Sequence, residues 1–206
     1  MTPFSDALTM LRPRAAATGV RLSAVLGLSL SLAACGSAPM ATFDLSAPST
    51  NLRARAASGV LAIPEPSAPA PADTDRIAVR TGPAAMAVIK GAQWTERLPR
   101  LLQGRLIQTF ENAKLVRSVS RPGDGAAADR SLAWDVRRFE MDAAEGQAKV
   151  EISVRLLDTT GKILAAQIFT GHAPGEAGEG ASAVEALDAA SQQVLSQIVT
   201  WAASKV

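Results

Sequence analysis

The stretch "AKVEISVRLLD", residues 148–158, alternates more cleanly than any other part of this 206-residue chain. Val150, Ile152, Val154 and Leu156 stand against Lys149, Glu151, Ser153 and Arg155. Successive side chains of a strand point to opposite faces, so this pattern predicts one buried face and one wet face, as antiparallel sheets allow. "DTTGK", residues 158–162, turns that strand into "ILAAQIFTG", residues 163–171. Before it lie two further strands, "KLVRSVS" (114–120) and "RSLAWDVRRFEMD" (130–142). In "RIAVRTG" (76–82), Ile77 and Val79 alternate with Arg76 and Arg80. "AMAVIKGAQW" (85–94) reads as its hairpin partner through the Gly82-Pro83 turn.

Two segments switch to helical spacing. In "TERLPRLLQGRLIQTFENA" (95–113), Leu98, Leu102, Leu106, Phe110 and Ala113 share a face, with Leu101 and Thr109 beside them. Thr95 is the expected N-cap, and Pro99 must occupy the first turn, where its missing N–H costs least. After a glycine-rich loop at 171–180, Ser182 and Glu185 form a capping-box pattern. Val184, Leu187, Ser191, Val194, Ile198 and Trp201 then recur at helical spacing, with Leu195 widening the stripe. Together these elements predict an α+β fold: a two-layer sandwich, with a mainly antiparallel sheet and two amphipathic helices on one face. "ATFDLSAP" (41–48) and "GVLAIPEP" (59–66) read as short edge strands, where proline is tolerated. The Pro/Ala-rich "PEPSAPAPAD" (64–73) favours extended chain over packed structure.

The N-terminal region follows different rules. Residues 1–21 carry Arg12, Arg14 and Arg21 against Asp6, and "LSAVLGLSLSLAA", residues 22–34, has no charge in thirteen positions. A membrane-crossing helix needs roughly 20 apolar residues, so this run is too short to span. A basic start, a short apolar run and small residues at its end describe an export signal, beginning at Met1 or Met10. Leu32-Ala33-Ala34-Cys35, followed by Gly36, resembles the lipobox of bacterial lipoproteins. In those proteins the signal peptidase cuts before the cysteine, which then carries diacylglyceryl and N-acyl lipid. The expected organisation is a signal peptide at 1–34, a tether at 35–41 and one domain at 42–206. Removing residues 1–34 leaves 21 − 3 = 18 basic and 19 − 1 = 18 acidic side chains, so the net charge of +2 falls to zero. With that the argument for nucleic acid disappears. Cys35 is the only cysteine, so no intrachain disulfide can form.

Catalytic chemistry is sparse. The single histidine, His172, reads as a loop residue at a strand end, and no GxSxG elbow accompanies it. Zinc needs three or four His, Cys or carboxylate ligands, and the sequence offers no such cluster. "GHAPGEAGEG" lacks the Lys-Ser/Thr of a P-loop. Asp135, Glu140 and Asp142 gather near a strand end; they read as solvent-facing alternates, with acid–base work as the alternative. Trp94, Trp134 and Trp201 fall at apolar positions and are expected inside. Arg97, Arg100 and Arg105 make a basic flank on the first helix, suited to solvent, a partner or a lipid headgroup.

Taken together, "DTDRIAVRTG" (73–82), "AQWTERLPRLLQGRLIQTFENA" (92–113), "DRSLAWDVRRFE" (129–140) and the closing amphipathic helix resemble the ABC-type transport auxiliary lipoprotein family. Members often open the domain with Tyr-x-Leu; this chain has Phe43-Asp44-Leu45 and no tyrosine. The resemblance implies a non-enzymatic accessory with no catalytic residues and no cofactor beyond the lipid on Cys35. Its implied partners are a mammalian-cell-entry (MCE) domain protein and an inner-membrane ABC permease and ATPase, with a homo-oligomer as a further option. Gly36 after the cysteine, rather than aspartate, resembles the signal for an outer-membrane, periplasm-facing location. Two other readings stand beside it: an envelope structural or assembly lipoprotein, and a hydrolase using His172 or the Asp135 and Glu140 carboxylates.

Overall fold

The structure, a computed structural model, describes residues 40–49, 57–178 and 180–205. In chain order the elements are β1 (Ala41–Phe43), β2 (Ala57–Ala62), β3 (Arg76–Arg80), β4 (Met86–Trp94), α1 (Leu98–Ala113), β5 (Val116–Ser120), β6 (Arg130–Asp142), β7 (Gln147–Leu157), β8 (Ile163–Pro174) and α2 (Gly180–Ala203). All eight strands join one sheet.

Its spine is the antiparallel run β6–β7–β8, in which Trp134 faces Val154 and Val154 faces Gln167. The other side of β6 is met by three successive pieces of chain, all parallel to it. β2 meets its start at Leu61↔Arg130, Ser67 bridges Asp135, and β3 meets its end at Val79↔Met141. β2 also runs parallel to β5, and β1 runs parallel to β4, whereas β3 and β4 are antiparallel. Four of the seven strand pairings are therefore parallel. The expected mainly antiparallel two-layer sandwich is thus corrected to a mixed eight-stranded sheet with two helices among the described residues. Alternation says which side chains are buried, and the same alternation serves a neighbour running either way. β1 pairs only with β4, but β2 lies between β5 and β6 and is no edge strand.

The Pro/Ala-rich segment is docked rather than free. Trp134 Nε1 donates to the Pro64 carbonyl at 2.8 Å. Ser67 N–H donates to Trp134 at 3.2 Å, and Val136 N–H donates to Ser67 at 2.8 Å. Proline has no N–H to give a ladder, so the serine between Pro66 and Pro69 makes the strand-like contact. A turn follows, with Ala72 and Asp73 N–H both on the Pro69 carbonyl (2.8 and 2.9 Å).

α1 starts later than the sequence suggests. Thr95 N–H is taken by the Phe43 carbonyl at 2.8 Å, which prolongs the β1–β4 pairing, and Arg97 is the N-cap. No side chain caps this end; Leu98 N–H instead finds the Thr74 carbonyl at 3.0 Å, and Pro99 needs no partner. Lys114 ends the helix in the left-handed conformation at φ 54°. Leu98, Leu102, Leu106 and Phe110 are buried, each contributing roughly 2 kcal/mol by removal from water. The Ser182–Glu185 capping box does not form, because α2 begins at Gly180 and the Ser182 hydroxyl accepts Glu176 N–H at 3.1 Å. α2 covers β7 and the second half of β8 and also packs on α1. It comes so close at Gly171 that a Cβ there would collide with the Ala190 carbonyl and sit 2.9 Å from Val194.

Candidate functional site

Leu32, Ala33, Ala34, Cys35 and Gly36 lie outside the described residues. The three carboxylates singled out in the sequence lie along β6, and each has its own partners. Asp135 accepts from the Ser67 hydroxyl and from Arg155, the latter at 2.6 Å. Glu140, 4% exposed, is held by Arg80 (2.7 and 3.0 Å) and by Arg138 (3.0 and 2.8 Å). Asp142 takes the Lys149 ammonium at 3.0 Å and the N–H groups of Ala144 and Glu145.

Burial pushes the Glu140 carboxyl upward, but hydrogen bonds and charge from Arg80 and Arg138 outweigh it and the net direction is down. Asp142 is also lowered, chiefly by the Lys149 hydrogen bond. A general acid at neutral pH needs its pKa raised, so these carboxylates are tuned the wrong way for that role. His172 shares a sheet row with Glu140, but Lys149 stands between them. Two strand spacings put histidine and carboxylate roughly 10 Å apart. Among the described residues no three His, Cys, Asp or Glu side chains gather as metal ligands.

The basic flank on α1 is neutralised. Arg97 pairs with Glu65 (3.3 Å) and Asp73, Arg100 with Glu96 (3.0 Å), and Arg105 with Asp44 (2.5 Å). Hydrogen bonding to Asp73 raises the Arg97 pKa further. Trp94 is buried edge-on to Phe139 at 6.0 Å, and Trp134 is buried as well. Trp201 is half-buried, edge-on to Phe169 at 5.7 Å.

Sequence reasoning missed the open side of β8. Among the described residues no strand pairs with it there. Its second half is closed by α2: Gln193 bonds both the N–H and the carbonyl of His172, and Gln197 Nε2 donates to the Thr170 carbonyl at 3.5 Å. By strand alternation the main-chain groups of Ile168 and Ala166 face the same open side, and both residues are exposed. Ile163, Leu164 and Ile168 are exposed there (53%, 43% and 49%). Next to them Gln167, Phe169, Thr200 and Trp201 line a groove of about 450 Å³. Neither β8 nor that lining contains a Lys, Arg, Asp or Glu. Edge strands are normally protected by charge, proline or a cover, so a long uncharged edge marks a surface where backbone pairing is available. The signal was present in the sequence: "ILAAQIFTG" has no charge in nine positions.

A mixed sheet, two helices and an open neutral edge make up the described residues. Comparison with known proteins names the family. The chain belongs to the family described as ABC-type transport auxiliary lipoprotein component, whose sequence model matches residues 42–199. The uncharacterized protein bll6063 from Bradyrhizobium diazoefficiens is 35% identical over 167 residues, covering 78% of this chain and 44% of that relative. The chain therefore spans less than half the length of that curated relative. The crystal structure of protein XCC0632 from Xanthomonas campestris, of family DUF330, superposes with a TM-score of 0.73 at 28% identity, covering 80% of this chain and 96% of that one. A second crystal structure, of an uncharacterized protein, shares the fold with a TM-score of 0.64 at 13% identity, covering 80% and 99%.

Proposed function

We propose that this protein is the lipid-anchored, non-enzymatic accessory subunit of an ABC/MCE-type lipid transport system, held periplasm-facing at the outer membrane. The observation that carries the reading is the family match over residues 42–199. Cys35 bears the lipid after cleavage behind Leu32, Ala33 and Ala34, and Gly36 favours the outer membrane. Two or more acyl chains, at about 0.8 kcal/mol per buried CH₂, anchor stably where one would not. The partner docks on the open half of β8, because an MCE-domain protein with an extended segment can add a strand at Ala166 and Ile168 and fill the groove beside Trp201. The neutral edge favours backbone pairing over charge steering. The paired arginines of α1 leave that helix face little attraction for acidic headgroups.

Co-purification of the full chain with its MCE protein tests this. Ile168→Asp should abolish recovery of the MCE protein while leaving the melting temperature unchanged. Recovery with outer-membrane assembly factors and no MCE protein would overturn the reading. Cys35→Ser should release the protein from membranes; persistent membrane association would remove the anchor from the account.

A further inference from the structure

On the sheet face opposite α2 the three pieces of chain that line β6 leave a gap. Ser67 touches β6 at Asp135 and β3 rejoins it only at Met141, so residues 137–140 border open space. The sheet ladder shifts there too: between Val136 and Arg138 one extra residue, Arg137, enters β6, so consecutive arginines oppose Glu151. The Pro69–Ala72 turn bridges the gap and walls a partly open cavity of about 190 Å³.

One wall of this cavity is cationic and the other is apolar. Arg80, Arg137, Arg138 and Glu140 form the first; Pro69, Pro71 and Met86 belong to the second. Glu140 receives four N–H bonds from Arg80 and Arg138, three on Oε1 and one on Oε2. Two guanidinium groups thus share one negative charge. Arg137 adds a third cation, paired through Nε with Glu151 at 3.0 Å. Arg138 Nη1 has no acceptor among the described residues, and Arg80 Nη1 reaches only the Pro83 carbonyl at 3.4 Å. Arginine forks match tetrahedral oxyanions, and an apolar wall suits a carbon substituent beside such a group.

We propose that this cavity binds one phosphate group, either free or as the headgroup of a lipid. It is smaller than the roughly 300 Å³ at which drug-sized sites begin, which suits a phosphate with a short substituent. The proposal stands on the cavity and does not depend on the docking reading, since Ile168 lies on β8 and lines no part of it.

The test is a titration of the full chain in neutral detergent, followed by the arginine Nε–H signals in NMR. The probes are inorganic phosphate, glycerol 3-phosphate and a short-chain phosphatidylglycerol. Saturable shifts at Arg138 and Arg80 are expected, weakened about tenfold in Arg138→Gln, the equivalent of one lost charge-assisted contact. Arg137→Gln, which leaves the buried Glu140 pairs intact, should weaken binding as well and serves if Arg138→Gln does not fold. Glu140→Gln should tighten binding, because the competing anion is gone. Tenfold tighter binding of the short-chain lipid identifies a headgroup site; equal binding of inorganic phosphate identifies a free-phosphate site. No saturable shift with any probe, or shifts that persist unchanged in both arginine variants, would overturn the proposal.

Discussion

The side-chain amide of Gln193 closes on the main chain of His172, accepting its N–H at 3.3 Å and donating to its carbonyl at 3.0 Å. A residue of a neighbouring strand would make the same pair of bonds. α2 thereby shields the second half of the β8 edge and leaves the first half open, where Ile168 is 49% exposed. Gln193 and Gln197, one helical turn apart, set the boundary between protected sheet and docking surface.

Replacing Gln193 with alanine should uncover the shielded edge at His172. The expected loss is about 1 kcal/mol, the net value of partly exposed hydrogen bonds. Hydrogen exchange at the His172 amide should accelerate while amides in the β6–β7 ladder stay protected. Unchanged exchange at His172 would show that the amide shields nothing.

A methyl group at residue 171 should be far more damaging than one at residue 178. At Gly171 the added Cβ meets the Ala190 carbonyl and Val194, so α2 must move off the sheet. At Gly178 an added Cβ would meet no atom of the other described residues within 4 Å. Gly171→Ala should cost about 3 kcal/mol, the upper range for overpacking, and Gly178→Ala close to nothing, as read from urea midpoints.

Acid should weaken the fold partly through Glu140. Its folded pKa is lowered, so the stability it contributes is fully present above its ordinary value of 4.5 and is lost as pH falls through the folded value. Asp142 and Asp158 act in the same direction from their ordinary value of 3.8. Chemical denaturation as a function of pH should therefore show stability falling below about pH 4.5. The decline should be shallower in Glu140→Gln. An identical slope in the two proteins would remove Glu140 from the acid response.

The docked proline segment should loosen when its indole anchor is lost. Trp134→Phe keeps most of the ring packing but removes the N–H that holds the Pro64 carbonyl at 2.8 Å. A cost of about 1–3 kcal/mol is expected, since the carbonyl loses a partly buried partner. Proteinase K should then cut within residues 64–73 faster than in the wild type.

Much of the strand and helix content was legible in the residues. Lys149 to Arg155 alternate with Val150 to Leu156, and the solvated and buried faces of β7 follow that order. The Gly82-Pro83 hairpin forms, with Thr81 N–H on the Ala85 carbonyl at 3.0 Å. Cap positions were less legible: Thr95 is claimed by Phe43 and Ser182 by Glu176, and these competing partners come from distant or looped chain. The carboxylates of β6 were visible as a cluster, but the cations that separate their roles come from β3, β6 and β7.

Side-chain periodicity, the neutral "ILAAQIFTG" and the family segments are local properties, and one-dimensional order was enough to reveal them. Tertiary structure decided strand direction, because a half-buried strand accepts neighbours of either sense and long-range pairing selects among them. That choice set β2, Ser67 and β3 parallel along β6, and it left the gap flanked by Arg80 and Arg138. It also placed α2 over only half of β8, since Gly171 lets the helix approach there and Gln193 closes the edge beside it.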